Sequence, residues 1–281
     1  MLDRGIRISA APLAFLDFET TGLNPSFGHR VIEVGIVRCL GETVTQEYRQ
    51  LVNPQRASDP GAYRVHHISP EMVRDAPLFA EIVDDVLALL EGAVIICHNA
   101  SFDLGFLRAE LARAGRPLPR LMALDTLALA QACWDTPSYS LDNLCRALRI
   151  RKIGHSALGD AQATRQLFLQ IGQVLAGWDM HTLAEYAELQ GRLLDWRHIR
   201  RASTPMEPPP LIRQAMEAGA LLWIRYQDAR GGITERTVRP IEVTGQRGQG
   251  YLRAYCMMRR EERTFSLSGI REMRLIESDE A

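Results

Sequence analysis

The chain has 281 residues, 46% hydrophobic and 24% charged, with 33 basic against 34 acidic side chains and a formal net charge of −1. That balance describes a globular protein with a sizeable core, and it excludes a strongly basic surface that would draw the whole molecule to nucleic acid, so any such contact has to be local. Five scattered cysteines with no CxxC pair, a start without a charged-then-apolar leader, and no apolar run near the ~18 residues of a membrane span lead us to expect a reduced, cytoplasmic protein with no membrane contact.

Residues 1–12 read as a loosely ordered lead-in. Residues 13–19 form an apolar strand ending in Asp17-Phe18-Glu19, and Thr20-Thr21-Gly22-Leu23-Asn24-Pro25 marks a turn. Residues 31–40 and 43–51 are two more strands, joined across Gly41-Glu42 as a hairpin. The stretch 52–68 reads as irregular, and Ser69 is placed to cap a short helix opening on Pro70. Phe79, Ile82, Val83, Val86, Leu87 and Leu90 recur at helical spacing up to Gly92. Residues 93–97 make a brief buried strand whose end carries His98-Asn99-Ala100-Ser101-Phe102-Asp103, with Ser101 the expected cap of a helix running toward Gly115. A strand over 122–125 and helices near 126–133 and 140–148 follow. Gly154-His155-Ser156-Ala157-Leu158-Gly159-Asp160 then opens a long helix. Three strands followed by alternating helices and strands describe an α/β or mixed-sheet domain. Residues 178–200 are expected to pack back on it. Ser203-Thr204-Pro205-Met206-Glu207-Pro208-Pro209-Pro210 is a linker, and a short helix and glycine-broken strands from Leu221 onward make a small all-β module. The expected domains are 1–202 and 211–281, joined by the Pro-rich linker 203–210.

Strand alternation points Asp17 and Glu19 the same way. Two adjacent anions at the end of an apolar strand are costly unless cations neutralise them, and a divalent metal is the simplest answer. Asp103 and Asp160 are two further acids near helix starts, where either is also an ordinary first-turn residue favoured by the helix dipole. The four carboxylates offer hard oxygen ligands of the kind magnesium and manganese take, and no thiolate or multi-histidine set competes for zinc. Five residues of helix turn through about 500°, leaving His155 about 140° from Asp160, so His155 shares a site with Asp160 only from the loop before the helix. An imidazole with a pKa near ~6.5 suits a general base acting on water at neutral pH.

The joint pattern is more specific than any one residue. Asp17-Phe18-Glu19-Thr20-Thr21-Gly22-Leu23, His98-Asn99-Ala100-Ser101-Phe102-Asp103 and His155-Ser156-Ala157-Leu158-Gly159-Asp160 resemble, in that order, the three motifs of the DEDDh superfamily of 3′→5′ exonucleases, which includes the proofreading epsilon subunits of bacterial replicative polymerases. The resemblance spans roughly residues 12–176. It implies a ribonuclease-H-like mixed five-stranded sheet with helices and a site holding two Mg²⁺ or Mn²⁺ ions about 4 Å apart. In that site Asp17 would bridge both ions, Glu19 and Asp160 would complete the nucleophile-side ion, Asp103 would hold the other partly through water, and His155 would be the general base. The resemblance also places Thr20, Leu23, His66, Asn99 and Phe102 against the terminal nucleotide. Phe102 can stack and Leu23 can wedge, a sequence-tolerant grip on a single strand. His67 stands where the family usually has glycine after His66.

Beyond the linker, Leu221-Leu222-Trp223-Ile224-Arg225-Tyr226, Arg236-Thr237-Val238-Arg239-Pro240, Gly250-Tyr251-Leu252-Arg253-Ala254-Tyr255-Cys256 and Arg263-Thr264-Phe265-Ser266-Leu267-Ser268-Gly269-Ile270 resemble a WYL domain, a small Sm/SH3-like barrel. Only Tyr251-Leu252 remains of the eponymous triplet. Residues 211–276 hold 12 arginines against 7 acids, and the resemblance implies a nucleic acid or nucleotide ligand with Arg253 and Arg263 as phosphate contacts. The expected function is a 3′→5′ exonuclease acting on single-stranded or 3′-end DNA. RNA remains an alternative, because nothing in the sequence reads a 2′-hydroxyl. A ligand-sensing regulator on a nuclease scaffold is another, and association with a polymerase is left open.

Overall fold

A computed structural model describes residues 3–152, 156–198, 204–205, 207–227, 232–246, 249–259 and 261–276. The chain divides into two compact units, Met1–Ala202 and Ser203–Ala281.

The first unit is built on a five-stranded sheet of β1 (Pro12–Thr20), β2 (Val31–Leu40), β3 (Thr43–Leu51), β4 (Val94–Cys97) and β5 (Met122–Asp125). Their order is β3-β2-β1-β4-β5. The β1–β2 and β2–β3 ladders are antiparallel, whereas β4 runs parallel to both β1 and β5. Short connections make the hairpins, and helical crossovers supply the parallel strands. Around the sheet lie α1 (Pro60–His66), α2 (Pro70–Val73), α3 (Phe79–Leu90), α4 (Ala100–Arg113), α5 (Thr126–Cys133), α6 (Leu141–Ala147), α7 (Ala157–Gly177) and α8 (Leu183–Leu189).

Alternation along β1 sorts its side chains between two cores. Ala14, Leu16 and Phe18 pack with α3 and α4, while Leu13 and Phe15 pack with α5, α7 and α8. Asp17 and Glu19 continue the second series, so both carboxylates emerge on the face that α7 covers. Gly35 of β2 lets that helix come close, since a Cβ there would lie 2.1 Å from the carbonyl carbon of Ala157.

Three local expectations are corrected by these contacts. The lead-in is ordered from residue 3 onward: a 3-10 turn spans Ile8–Ala10, and the Ile8 amide donates to His181 O at 2.9 Å while Ile6 and Ile8 pack on the α7 side of the sheet. The stretch 52–68 contains α1, with Pro60 in its first turn. Ser101 does not cap α4. The helix begins two residues earlier than that cap implies, behind Asn99, and its first amides are met from β5, where Asp125 accepts from Asn99 N at 2.9 Å and Ala100 N at 3.1 Å.

In the second unit α9 (Pro210–Ala218) packs Ile212 and Ala215 into a core with Leu222, Ile224, Val238, Leu252 and Phe265. After β6 (Thr204–Pro205) come β7 (Leu221–Gln227), β8 (Ile233–Gln246), β9 (Gln249–Cys256), β10 (Glu261–Ser266) and β11 (Ile270–Ile276). They form an antiparallel sheet in the order β10-β9-β8-β7-β11, with β6 paired to β8. The sequence led us to expect a barrel. Among the described residues β10 and β11 are the two outer strands of that path and no ladder joins them, so the sheet is open.

Candidate metal centre and active site

Oxygen atoms of Asp17, Glu19 and Asp160 lie within 4.8 Å of one another. The first two come from the end of β1. Asp160 comes from the first turn of α7, whose start is fixed three times over. Ser156 is its N-cap, with Oγ accepting from Gly159 N at 3.2 Å; Gly35 lets the helix touch β2; and the fully buried Glu33 accepts the Ala157 amide at 2.8 Å through Oε2 while its Oε1 takes Arg49 Nε at 2.6 Å. Glu33 faces Glu19 across the β1–β2 ladder.

Asp103, in the first turn of α4, lies outside the three-residue cluster but is turned toward it. Its Oδ1 accepts the amide of Phe18, the residue between the two strand acids, at 3.0 Å. Burial pushes the Asp17 carboxyl well above its usual range, and Asp103, Asp160 and Glu19 push it further. Glu19 is raised from 4.5 to about 7, first by burial and then by Asp160 and Glu33. Burial also raises Asp103, against the hydrogen bond from Phe18. These acids repel one another in a site that water only partly reaches, the situation that a bound cation relieves. One cation of the chain itself is present: Lys152 Nζ lies 3.0 Å from Asp160 Oδ1 and also contacts Asp142 of α6. Hard oxygens, close spacing and excess negative charge fit a divalent ion. His155 lies outside the described residues; α7 begins at Ala157 behind Ser156, so position 155 precedes the helix.

The nucleotide-side residues are placed unevenly. Thr20 is buried, and its hydroxyl donates to Gly22 O at 2.8 Å, fixing the turn that carries Leu23, which is 64% exposed. Asn99 is exposed, in the left-handed conformation at φ 68°. Phe102 is half-buried, tilted against Phe106 with ring centroids 5.0 Å apart. His66 is buried, and its Nδ1 accepts the Ile68 amide at 2.9 Å. Burial lowers its pKa, and His67 adds to the effect. The ring is therefore neutral with its proton on Nε2, a buried donor that finds no acceptor among the described residues. His67 closes α1 at φ 55°, a left-handed position, which is the physical reason glycine suits this place.

His98 holds neighbouring elements together: Nδ1 meets Thr126 Oγ1 at 3.0 Å and Nε2 meets the Tyr139 carbonyl at 2.8 Å. Sequence reasoning missed Glu33, Asp125 and Lys152. Glu33 had a readable signal, a lone charge inside the apolar run Val31-Ile32-Glu33-Val34-Gly35-Ile36. The roles of the other two depend on tertiary contacts. In the second unit Arg253 is ion-paired with Glu242 on β8 and is largely buried. Arg263 is exposed. Arg253 stands opposite Thr264 and Arg263 opposite Ala254, so the two arginines point to opposite faces of the sheet.

A mixed sheet that gathers carboxylates from its central strand and a crossing helix has the arrangement of a metal-dependent hydrolytic nuclease. Comparison with known proteins agrees. The family model described as "Exonuclease" matches residues 14–168, and that of the WYL domain matches residues 210–275. The epsilon subunit of DNA polymerase III from Rickettsia felis is 37% identical over 164 residues, 56% of this chain and 72% of the relative. That of Salmonella typhimurium is 35% identical over 202 residues, 67% of this chain and 82% of the relative. In fold, Escherichia coli exonuclease I in complex with a dA16 oligonucleotide superposes with a TM-score of 0.53 at 17% identity, over 87% of this chain and 55% of that one. The nuclease domain of 3′hExo bound to rAMP gives 0.51 at 15% identity, over 62% and 96%. The chain belongs to this exonuclease family, as a hydrolytic 3′-exonuclease that carries a WYL domain.

Proposed function

We propose that the chain is a 3′→5′ exonuclease that hydrolyses DNA phosphodiester bonds from the 3′ end and releases nucleoside monophosphates, with residues 1–202 as the nuclease and 211–281 as the WYL domain. The close set formed by Asp17, Glu19 and Asp160 carries this reading. DNA is favoured over RNA by the relatives, which are subunits of DNA polymerases.

Asp17, Glu19 and Asp160 would hold the nucleophile-side Mg²⁺ or Mn²⁺, and Asp17 with Asp103 the second. When bound, such ions neutralise charge on the phosphate, activate the attacking water and assist the leaving 3′-oxygen. The protein's residues do the rest. Asp103 keeps its orientation through the Phe18 amide. His66 offers its Nε2 proton to an oxygen of the terminal nucleotide, an acceptor not found among the described residues. Leu23 and Phe102 flank the base, Thr20 holds the turn, and Asn99 lies beside the sugar. His155, just before the α7 cap, takes the proton of the attacking water. In the WYL domain the excess of arginine suits a nucleic acid or nucleotide. Because Arg253 and Arg263 point to opposite faces, one phosphate would meet only one of them.

The test is a 5′-labelled single-stranded DNA with Mg²⁺ or Mn²⁺, beside a matched RNA. Stepwise shortening of the DNA from its 3′ end is expected, with Asp17→Asn slower by at least about a thousandfold. A variant as fast as the parent protein would remove the site, and faster loss of RNA would change the substrate.

A further inference from the structure

Lys152 is the one lysine of a chain with 33 basic side chains. It lies just before α7, with its ammonium against the carboxylate cluster. Nζ is 3.0 Å from Asp160 Oδ1, and the side chain is only 13% exposed. Asp142, at the start of α6 and 49% exposed, holds the same ammonium from the solvent side. The ammonium is thus held between two carboxylates, Asp160 on the cluster side and Asp142 on the other. A lysine suits a position that must be vacated: it is a compact charge on a flexible four-carbon stem, without the fixed fork of arginine.

We propose that Lys152 is a tethered counter-cation of the metal site: in the metal-free protein its ammonium balances Asp160, and it withdraws to Asp142 when the nucleophile-side ion binds. This rests on the metal-site reading above. Lys152 thereby offsets the repulsion among the carboxylates before an ion binds, and it also competes with the ion for Asp160. The first effect stabilises the fold before metal arrives, and the second weakens metal affinity.

The experiment is Mn²⁺ titration of the full chain without nucleic acid, read by the electron paramagnetic resonance signal of the free ion. It compares the parent protein with Lys152→Met and Lys152→Gln, and thermal unfolding is followed in parallel with EDTA and with saturating Mn²⁺. Removing a positive charge a few ångströms from the ion should tighten Mn²⁺ binding by about tenfold in both variants. Their unfolding midpoints should fall in EDTA and return to the parent value with Mn²⁺. Equal or weaker Mn²⁺ binding in both variants overturns the proposal. Failure of the parent protein to bind Mn²⁺ at all would overturn the metal-site reading itself, a distinguishable result.

Discussion

Glu19 shows how strongly one carboxyl can be governed by its surroundings. Burial comes first and the nearby acids second, and together they take it from 4.5 to about 7. A folded-state pKa above the unfolded value means that the folded, metal-free protein binds more protons than the unfolded chain between those two pH values. Stability from this group is therefore present at pH 4.5 and falls as pH rises to 7, by about 3 kcal/mol. Asp17 and Asp103 shift in the same direction. Urea unfolding in EDTA should give a lower midpoint at pH 7.5 than at pH 5, and a higher one would contradict the burial described here. Mn²⁺ affinity should run the other way and strengthen through pH 7, because the ion takes the deprotonated carboxylates. The closeness of Asp17, Glu19 and Asp160 was legible, since alternation puts the first two on one face of β1 and the order of the motifs adds Asp160. Lys152 was not, since its use depends on where α6 and α7 begin in space.

At the level of elements, α7 delivers Asp160 only because β2 lets it approach. Gly35 leaves no space for a side chain: a Cβ would fall 2.2 Å from Leu158 N and 2.3 Å from Ala157 O, both backbone atoms that cannot swing away. Gly35→Ala should push the first turn of α7 off the sheet, costing about 1–3 kcal/mol of stability. It should also weaken Mn²⁺ binding at least tenfold, since Asp160 moves while Asp17 and Glu19 stay. Calorimetric titration with denaturant melts checks both effects. The strands 31–40 and 43–51 were readable from the apolar run of the first and the alternation of the second across Gly41-Glu42, and the helix 79–90 from its apolar repeat up to Gly92. The start of α4 was not. Local rules offered Ser101, whereas Asp125 reaches in from β5, and the same carboxylate also accepts Leu127 N at 3.0 Å, so one acid caps two helices. α1 was hidden by its short length and by a proline that can signal either a break or a helix start.

In the whole molecule, the two units own separate cores. Leu252 has no exposed surface and lies in the cluster of the second unit, which shares no member with those around the nuclease sheet. Leu252→Ala should destabilise the second unit by about 2–5 kcal/mol and leave the Mn²⁺ affinity of the carboxylate cluster unchanged. Differential calorimetry and Mn²⁺ titration of the same sample check this, and a parallel loss of Mn²⁺ affinity would show the units to be energetically linked. The split between the two units, Ala202/Ser203, falls where the proline-rich segment begins and the sequence pattern changes. The open path of the second sheet was not legible, because alternation in a strand does not report which outer strands meet.

The cage also sets an order of events during synthesis. Its oxygen donors come from positions 17, 19 and 160, and the anchor that seats the helix joins Glu33 to Ala157. A growing polypeptide released before that helix emerges has the strand acids and Asp103 but not Asp160, so the nucleophile-side ion proposed above would lack one of its ligands. Acquisition of Mn²⁺ should therefore lag behind the appearance of helical signal in refolding, which makes the ion a marker of a finished nuclease unit.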